Sequence, residues 1–437
     1  MQKTLNSLNY DRTAIALISA SAGELDWVLP ILDDLLKKGF NIKIIFLTRH
    51  ARVSVANNRM LDDYISQQNT QLEVHLCGGY FLEKIERFSY LAHRISIKLK
   101  FVKQPIIQAT YNLINKTLKK IFMMCLPSEI LNLQNEKCLF FSEYPSLRRP
   151  RDFWLREDFN KALFFYCPHS PHIYAEDLDK KYSDPPLKDL SCGYFLLLGH
   201  PADYSAINDG RELASSDLER VFIGHPKYSN NWLYDYRKKS SIFRSSLSSR
   251  SKINILILSR GIGGYLDENE HVNLVETAIE TIHNQIANYN LFVKKHPREK
   301  NSHWDVVANK HPSITIINDH ILNIATSVDF VISFWSSGAM DCHELGVPVI
   351  ELFDLKKQTK QQFFDEDHYT TIYRKLGLVY PANNEKELAN IIARLLRENF
   401  DMQSAEPHSF YSDLMNRSNN WKATLGEILA ANGFMNS

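Results

Sequence analysis

The chain has 437 residues, and because a domain usually holds about 100–200 residues, this length predicts two or three domains. Its composition, with 44% hydrophobic and 23% charged residues, is ordinary for a globular protein. The formal net charge of +1 excludes recognition of nucleic acid through a protein-wide positive field. Electrostatic recognition, where it occurs, must therefore be local.

Cysteine usage and the N-terminus bear on the compartment. The six cysteines form no Cys-x-x-Cys pair, which argues against a zinc site and a disulfide framework and favours a reducing compartment. Residues 1–12 are polar and unlike a signal peptide. No uninterrupted apolar run approaches the ~20 residues that a transmembrane helix needs. We therefore expect a cytoplasmic protein.

The first half of the chain predicts a parallel α/β domain. Residues 14–20 form a short apolar run typical of a buried strand, residues 27–38 have apolar positions at helical spacing, and residues 42–48 form a second strand. A βαβ unit at this position indicates a parallel sheet with helices on its faces. Further strands are predicted at 138–142, 163–167, 195–198 and 220–223.

The segment 80–124 has a different character. It holds nine basic and two acidic residues, with apolar residues interleaved, and is broken near Pro105. This pattern predicts basic amphipathic helices inserted in the first domain. Two interpretations remain open: helices packed on the sheet with a solvated basic face, or a surface for an anionic membrane or anionic glycan acceptor.

A second α/β domain follows a linker. Residues 238–252 are rich in Ser, Lys and Arg and lack an ordered pattern. The predicted domains are therefore 1–237 on the acceptor side and 253–398 on the nucleotide-donor side, with a helical tail at 399–437. The fold class is α/β, with two Rossmann-like domains facing a cleft in the GT-B arrangement, and the cleft is the expected active site.

Two motifs in the second domain suit a phosphate group. Lys295 and His296 follow a predicted strand and offer hydrogen-bond donors and positive charge. Ser336 and Ser337 follow another strand and open a helix, where free N–H groups bind anions and where a serine also acts as an N-cap. The two motifs together predict a site for an activated nucleotide.

Two further residues of this domain are candidate donor contacts. Arg260 opens a Gly-rich loop after the first strand and could pair with phosphate. Glu344 lies on the helix that follows Ser337, where a carboxylate could accept hydrogen bonds from ribose hydroxyls. The loop after Arg260 does not match the dinucleotide or Walker patterns, so neither dinucleotide binding nor ATP hydrolysis is supported.

The first domain offers candidates for the catalytic group. Glu24, Glu143 and His169 follow predicted strands, at the sheet edge where parallel sheets bind ligands. Asp26 is a neighbouring carboxylate that could serve in the same way. An imidazole or carboxylate could act as general base for an acceptor hydroxyl, and a carboxylate could also act as nucleophile. No Asp-x-Asp motif lies at a strand end, so we predict metal-independent chemistry that needs no cofactor besides the donor substrate.

The second domain resembles bacterial surface-polysaccharide transferases: capsule-type Kdo transferases, sialyltransferases and CDP-glycerol glycerophosphotransferases. The resemblance covers roughly residues 140–355 and rests on the His296-Pro297 and Ser336-Ser337 motifs, which in these families hold a CMP- or CDP-activated donor. A serine follows His169 where the glycerophosphotransferases have glycine, and Phe-Trp precedes Ser336 where they have Asp-Tyr. The Ser-Ala-Gly-Glu stretch ending at Glu24 is similar to Kdo transferases and UDP-GlcNAc 2-epimerases.

The resemblance implies a glycosyltransferase that moves a sugar from a nucleotide-activated donor to a hydroxyl of a surface glycan or glycolipid. A CMP-linked, Kdo- or sialic-acid-like donor is the first expectation. A CDP-glycerol-type polyol-phosphate transferase is the alternative, and a UDP-sugar 2-epimerase is the second alternative. The expected location is the cytoplasm, with peripheral contact to the inner face of the membrane left open by segment 80–124.

Overall fold

The computed structural model contains two α/β domains, each built on its own parallel sheet. The predicted fold class, two Rossmann-like domains of GT-B type and a C-terminal helix, is confirmed. The structure describes residues 12–66, 70–77, 84–85, 88, 91, 105–143, 151–168, 173–182, 189–203, 218–235, 252–263, 266–296, 299, 302–355, 363–365, 368–401 and 407–435.

The first sheet has seven parallel strands in the order β3-β2-β1-β4-β5-β6-β7. The strands are β1 (Thr13–Ile18), β2 (Asn41–Phe46), β3 (Leu72–Leu76), β4 (Cys138–Ser142), β5 (Leu163–Tyr166), β6 (Tyr194–Leu198) and β7 (Glu219–Phe222). Successive side chains of a strand point to opposite faces, so Ala14 and Ala16 enter one apolar core while Ile15 and Leu17 enter another. Burial on both faces explains why β1 reads as a continuous apolar run.

Helices on both faces cover this sheet. They are α1 (Ala22–Lys37), α2 (Arg49–Ala56), α3 (Arg59–Ile65), α4 (Pro105–Met124), α5 (Ser128–Leu131) and α6 (Arg151–Asp158). Helix α1 begins at Ala22, five residues before the predicted start at residue 27, where the apolar residues at helical spacing begin. Its polar first turn places Glu24 and Asp26 on the helix that leaves the carboxyl end of β1. A short 3₁₀ helix, Pro226–Tyr228, follows β7.

The second sheet has six parallel strands in the order β10-β9-β8-β11-β12-β15. Its strands are β8 (Ile253–Leu258), β9 (Tyr289–Lys294), β10 (Ile314–Ile317), β11 (Phe330–Ser333), β12 (Val349–Leu352) and β15 (Tyr380–Ala382). An antiparallel pair, β13 (Phe364–Asp365) and β14 (His368–Tyr369), lies outside it. The helices are α7 (Glu268–Gln285), α8 (His303–Ala308), α9 (Ile321–Ala325), α10 (Gly338–Glu344), α11 (Ile372–Lys375) and α12 (Glu385–Arg397).

The C-terminal helix α13 (Ser409–Ala431) returns to the first domain. Trp421 and Leu425 are buried in the same apolar core as β1 and α1. The Ser418 hydroxyl accepts a hydrogen bond from the backbone N–H of His225 at 2.8 Å. Gly224 has φ +69°, and a Cβ there would lie 2.1 Å from the Ser418 backbone nitrogen, so only glycine fits this crossing. The tail therefore completes the first domain.

Two predicted segments fall partly outside the described residues. Of segment 80–124, helix α4 is described together with residues 84, 85, 88 and 91; of the linker 238–252, only Lys252 is described. Within the described ranges, no helix is both long enough and apolar enough to cross a membrane.

Candidate functional site

Glu24 and Glu143 lie together at the carboxyl edge of the first sheet. Both side chains are buried, and both line a small cavity between β1, β4 and β5 that also contacts Val28 and Cys167. The cavity is narrow, and part of it is open to solvent. Burial raises the pKa of the Cys167 thiol to about 12, so this cysteine lines the cavity as an uncharged side chain.

The Glu24 carboxylate folds back onto the end of β1. It accepts hydrogen bonds from the backbone N–H of Ser19 at 2.6 Å and of Ala20 at 2.8 Å, and from the Ser19 hydroxyl at 3.1 Å. Charge-assisted bonds of this kind fix the strand–helix turn. Glu24 is therefore held in one orientation at the edge of the cavity.

His169, the imidazole candidate, lies outside the described residues, as do Ser170 and His172. The neighbouring Pro168 is buried directly after β5. The assignment of the catalytic group among Glu24, Glu143 and His169 thus stays a prediction.

Four charged or titratable side chains meet where the two domains touch; we call them the junction cluster (Asp26, Lys227, His320 and Asp341). Lys227 Nζ lies 3.0 Å from Asp26 Oδ2 and 2.8 Å from Asp341 Oδ1. His320 Nε2 lies 2.8 Å from Asp26 Oδ1. Asp26 and Lys227 belong to the first domain, and His320 and Asp341 to the second. All four follow strand carboxyl ends, so the ligand-binding edges of the two sheets face each other here.

Hydrogen bonding defines the charge states in the junction cluster. His320 Nδ1 accepts the backbone N–H of Leu322 at 3.1 Å, so the ring proton lies on Nε2 and is donated to Asp26. Burial disfavours ionised Asp26, but Lys227 and His320 outweigh it and hold its pKa well below the ordinary value. Burial likewise opposes the charge on Lys227, but Asp26 and Asp341 raise its pKa.

The Lys227 ammonium is also packed against aromatic rings. It lies 5.1 Å from the ring centroid of Trp27 and 5.0 Å from that of Tyr228, within the range of cation–π attraction. Only 4% of Lys227 is exposed. The cluster is thus a desolvated ionic contact, which salt screens much less than it screens surface pairs.

A second lysine, Lys294, approaches the same region from the end of β9. Its Nζ donates to the backbone carbonyl of Asp319 at 2.7 Å. Burial lowers the pKa of Lys294, while Asp319, Asp26 and Asp341 oppose this shift. Lys294 shares a strand face with Phe292, which packs in the core beneath the junction.

The predicted donor residue Lys295 points elsewhere. Its Nζ lies 2.8 Å and 3.0 Å from the two carboxylate oxygens of Asp305 on α8. His296 follows in the loop, half-buried, and its backbone N–H donates to Glu299 at 3.1 Å. The two adjacent residues are therefore fixed by different carboxylates.

Arg260 is brought onto the turn that carries the two serines. Its guanidinium lies 3.9 Å from the Trp335 ring centroid, and its Nη1 donates to the Trp335 carbonyl at 2.7 Å. Trp335 has φ +57°, a left-handed conformation that costs a bulky residue about 1–3 kcal/mol. The two contacts of Arg260 with Trp335 join the loop after β8 to the loop after β11.

Ser336 and Ser337 differ in their surroundings. The Ser336 N–H donates to the Ser333 hydroxyl at 3.0 Å, and its own hydroxyl accepts from Gly338 N–H at 3.3 Å. Ser337 is exposed, directly precedes α10, and makes no capping bond through its side chain. Ser336 thus stabilises the turn, while Ser337 presents its hydroxyl outward.

Glu344, predicted as a ribose contact, lies at the end of α10 and accepts a hydrogen bond from the Tyr411 hydroxyl on α13. Burial and this carboxylate raise the pKa of Tyr411 well above its ordinary value, which keeps the hydroxyl protonated as a donor. Glu344 thereby links the second domain to the returning helix.

Sequence reasoning did not single out Lys227, His320 or Glu299. Lys227 lies in the short 3₁₀ helix after β7, and Glu299 stands three residues after the predicted donor residue His296. His320 opens α9 as an N-cap, a position that the sequence does not distinguish from an ordinary loop histidine.

No protein-family model matches the chain, and no curated protein sequence matches it. Solved structures share its fold. UDP-GlcNAc 2-epimerase from Neisseria meningitidis, bound to UDP-GlcNAc, gives a TM-score of 0.53 at 10% identity and covers 96% of this chain and 100% of its own. The S. aureus MnaA–UDP structure gives 0.52 at 12% identity and covers 98% of each chain.

The UDP-GlcNAc 2-epimerase from Methanocaldococcus jannaschii gives a TM-score of 0.51 at 12% identity and covers 95% of this chain and 99% of its own. Because each match spans nearly the whole of both chains, the likeness includes both domains and their order. The chain is therefore similar in architecture to two-domain enzymes of this kind.

Proposed function

We propose that this protein is an enzyme acting on nucleotide-activated sugars, and specifically a glycosyltransferase. The donor is a CMP-linked acidic sugar of the Kdo or sialic-acid type, and the acceptor is a hydroxyl of a surface glycan or glycolipid. One observation carries the proposal: Arg260 joins the loops after β8 and β11, next to the His296 loop. These loops lie at the ligand-binding edge of the second domain, and this edge faces the carboxylates of the first domain.

In the proposed reaction, the bond between the anomeric carbon and the nucleotide phosphate oxygen breaks, and the acceptor oxygen bonds to that carbon. The acceptor proton passes to a base on the first domain, namely Glu24, Glu143 or His169. The departing phosphate carries the negative charge, and His296, Ser337 and Arg260 are the donors proposed to stabilise it.

A UDP-sugar 2-epimerase is the second candidate. The observation in its favour is the whole-length likeness to the Neisseria meningitidis enzyme, solved with UDP-GlcNAc bound. An epimerase acts on the sugar without an external acceptor. Uridine preference and turnover without an acceptor would therefore favour this candidate over a transferase.

Contact with an anionic membrane surface belongs to the proposal. On helix α4, Lys116 and Lys120 are exposed on the same side as Leu113 and Met124, which are 66% and 74% exposed. Exposed apolar side chains beside lysines are typical of helices that lie on anionic lipid. Such a contact would bring the enzyme to a lipid-linked acceptor.

The test is a turnover assay with CMP-, CDP- and UDP-activated donors, with and without a glycan acceptor. The proposal predicts acceptor-dependent release of CMP and its loss in the His296→Ala variant. His283→Ala, which removes an exposed histidine from α7 of the same domain, is the matched control and should keep wild-type turnover. Equal turnover in both variants would remove His296 from the site.

A further inference from the structure

Glu299 is a buried carboxylate that receives hydrogen bonds from two loops and a helix start. It accepts from the Ser259 hydroxyl at 3.1 Å, from the backbone N–H of His296 at 3.1 Å, and from the Ser302 hydroxyl. Its side chain is 1% exposed. A buried charge is costly unless it is fully hydrogen-bonded, and these donors satisfy that condition.

His271 of α7 adds a fourth polar group. Its Nδ1 lies 3.0 Å from the Arg260 carbonyl, and because a carbonyl only accepts, Nδ1 must carry a proton. Its Nε2 lies 3.5 Å from Glu299 Oε1 and has no hydrogen-bond partner among the described residues. Burial lowers the pKa of His271, although Glu299 opposes this shift, so the ring is neutral and its Nε2 lone pair faces the carboxylate.

The backbone of the Arg260 loop rests directly on Glu299. A Cβ at Gly261 would lie 2.9 Å from Glu299 Cβ and 3.0 Å from its Cα, so no side chain fits there. Ser259, which donates to Glu299, also accepts from Trp304 Nε1 at 2.9 Å. The position of Arg260 over Trp335 therefore depends on a network centred on Glu299.

We propose that Glu299 is a positioning residue, which holds the Arg260 and His296 loops in the spacing needed to bind the phosphate of the nucleotide. This inference rests on the proposed function for the identity of the ligand. Glu299 itself, buried beneath both loops, acts through Arg260 and His296. A purely structural carboxylate would affect stability without affecting the affinity of these loops for a nucleotide.

The experiment compares Glu299→Ala, Glu299→Gln and the control Glu276→Gln. Glu276 is a half-exposed acid on α7 that pairs with His303. The probe is whichever of CMP, CDP, UDP and GDP the wild type binds best, titrated well below the melting temperature. Backbone amide exchange of residues 259–263 is measured in parallel.

We expect Glu299→Ala to weaken nucleotide binding at least tenfold, to raise the donor KM more than it lowers kcat, and to accelerate exchange in 259–263. Glu299→Gln should recover most of the affinity, because its amide oxygen can accept from His296 N–H and its NH₂ can donate to His271 Nε2. Glu276→Gln should match the wild type. If Glu299→Ala does not fold, Glu299→Asp, one methylene too short to reach both loops, takes its place and should also weaken binding.

Unchanged affinity in the folded Ala or Asp variant would overturn the inference, whether or not exchange in 259–263 rises. Failure of the wild type to bind any of the four nucleotides would instead overturn the proposed function. In that case amide exchange alone decides whether Glu299 holds the loops, and unchanged exchange would refute that as well.

Discussion

Replacement of Lys227 by methionine tests the junction cluster most severely. Methionine keeps most of the side-chain volume but removes the charge, so Asp26 and Asp341 stay buried without their shared cation. Removing one partner of a buried ion pair typically costs about 3–5 kcal/mol. Loss of the cation–π contacts with Trp27 and Tyr228 adds about 0.5–2 kcal/mol.

For domains of this size, 1 kcal/mol shifts the melting temperature by about 2–4 °C, so the ion-pair loss alone predicts a decrease of roughly 6–20 °C. The assay is thermal unfolding followed by circular dichroism. Lys422→Met is the control, because Lys422 pairs with Asp34 at 2.8 Å but is 46% exposed, and exposed pairs contribute about 0–1 kcal/mol. A Lys227→Met protein that melts within 2 °C of the wild type would refute the reasoning.

Three further predictions follow from the site. Because the pKa of Asp26 is lowered and that of Lys227 raised, their stabilisation should be fully present between about pH 4 and pH 10, and lost as pH falls through the folded pKa of Asp26 or rises through that of Lys227. In Lys227→Met the melting temperature should therefore change less with pH, below about pH 4 and above about pH 10, than in the wild type. An unchanged dependence of melting temperature on pH would contradict this. Alanine at both Ser336 and Ser337 should weaken nucleotide binding by about 1–3 kcal/mol in calorimetric titration. A loss of thermal stability alone would mean that the two serines only stabilise the turn. Glu24→Gln should lower turnover by about 100-fold with donor affinity little changed if Glu24 is the base, and turnover within a few-fold of wild type would exclude it.

The sheets were predictable because their strands are buried on both faces. The predicted strand at 138–142 coincides with β4, and those at 163–167, 195–198 and 220–223 lie within one residue of β5, β6 and β7. The edge strand β3 was missed because its sequence, Leu-Glu-Val-His-Leu, is half-exposed and lacks an apolar run. Helices α2 and α3 were missed because they have only eight and seven residues, too few to show a helical periodicity, and their starts depend on capping by Thr48 and Asn58.

The candidate site was predictable only at the level of loops. The strand-end rule led to the loops of Glu24, Arg260 and His296, but the sequence does not say which neighbouring side chain turns inward. Lys294, not Lys295, approaches the junction, because it shares the strand face of Phe292. The rest depends on contacts between residues far apart in the chain, such as the 2.8 Å contact between Asp26 and His320, which no local pattern encodes.

The position of the C-terminal helix could likewise not be predicted from local sequence patterns. Its apolar residues predict a helix, but the surface that they cover is set by the return of the chain to the first domain. The contacts Ser418 to His225 and Tyr411 to Glu344 join this helix to both domains. Any motion of one domain relative to the other must therefore bend or shift α13.

The most direct test of the central claim is calorimetric titration of CMP, CDP, UDP and GDP into the wild type and the His296→Ala variant. The account predicts that a cytidine nucleotide binds the wild type best, and that His296→Ala weakens this binding at least tenfold, which corresponds to about 1.4 kcal/mol. Preference for UDP would favour the epimerase candidate. Absence of binding by all four nucleotides, or equal affinity in the two proteins, would contradict the account.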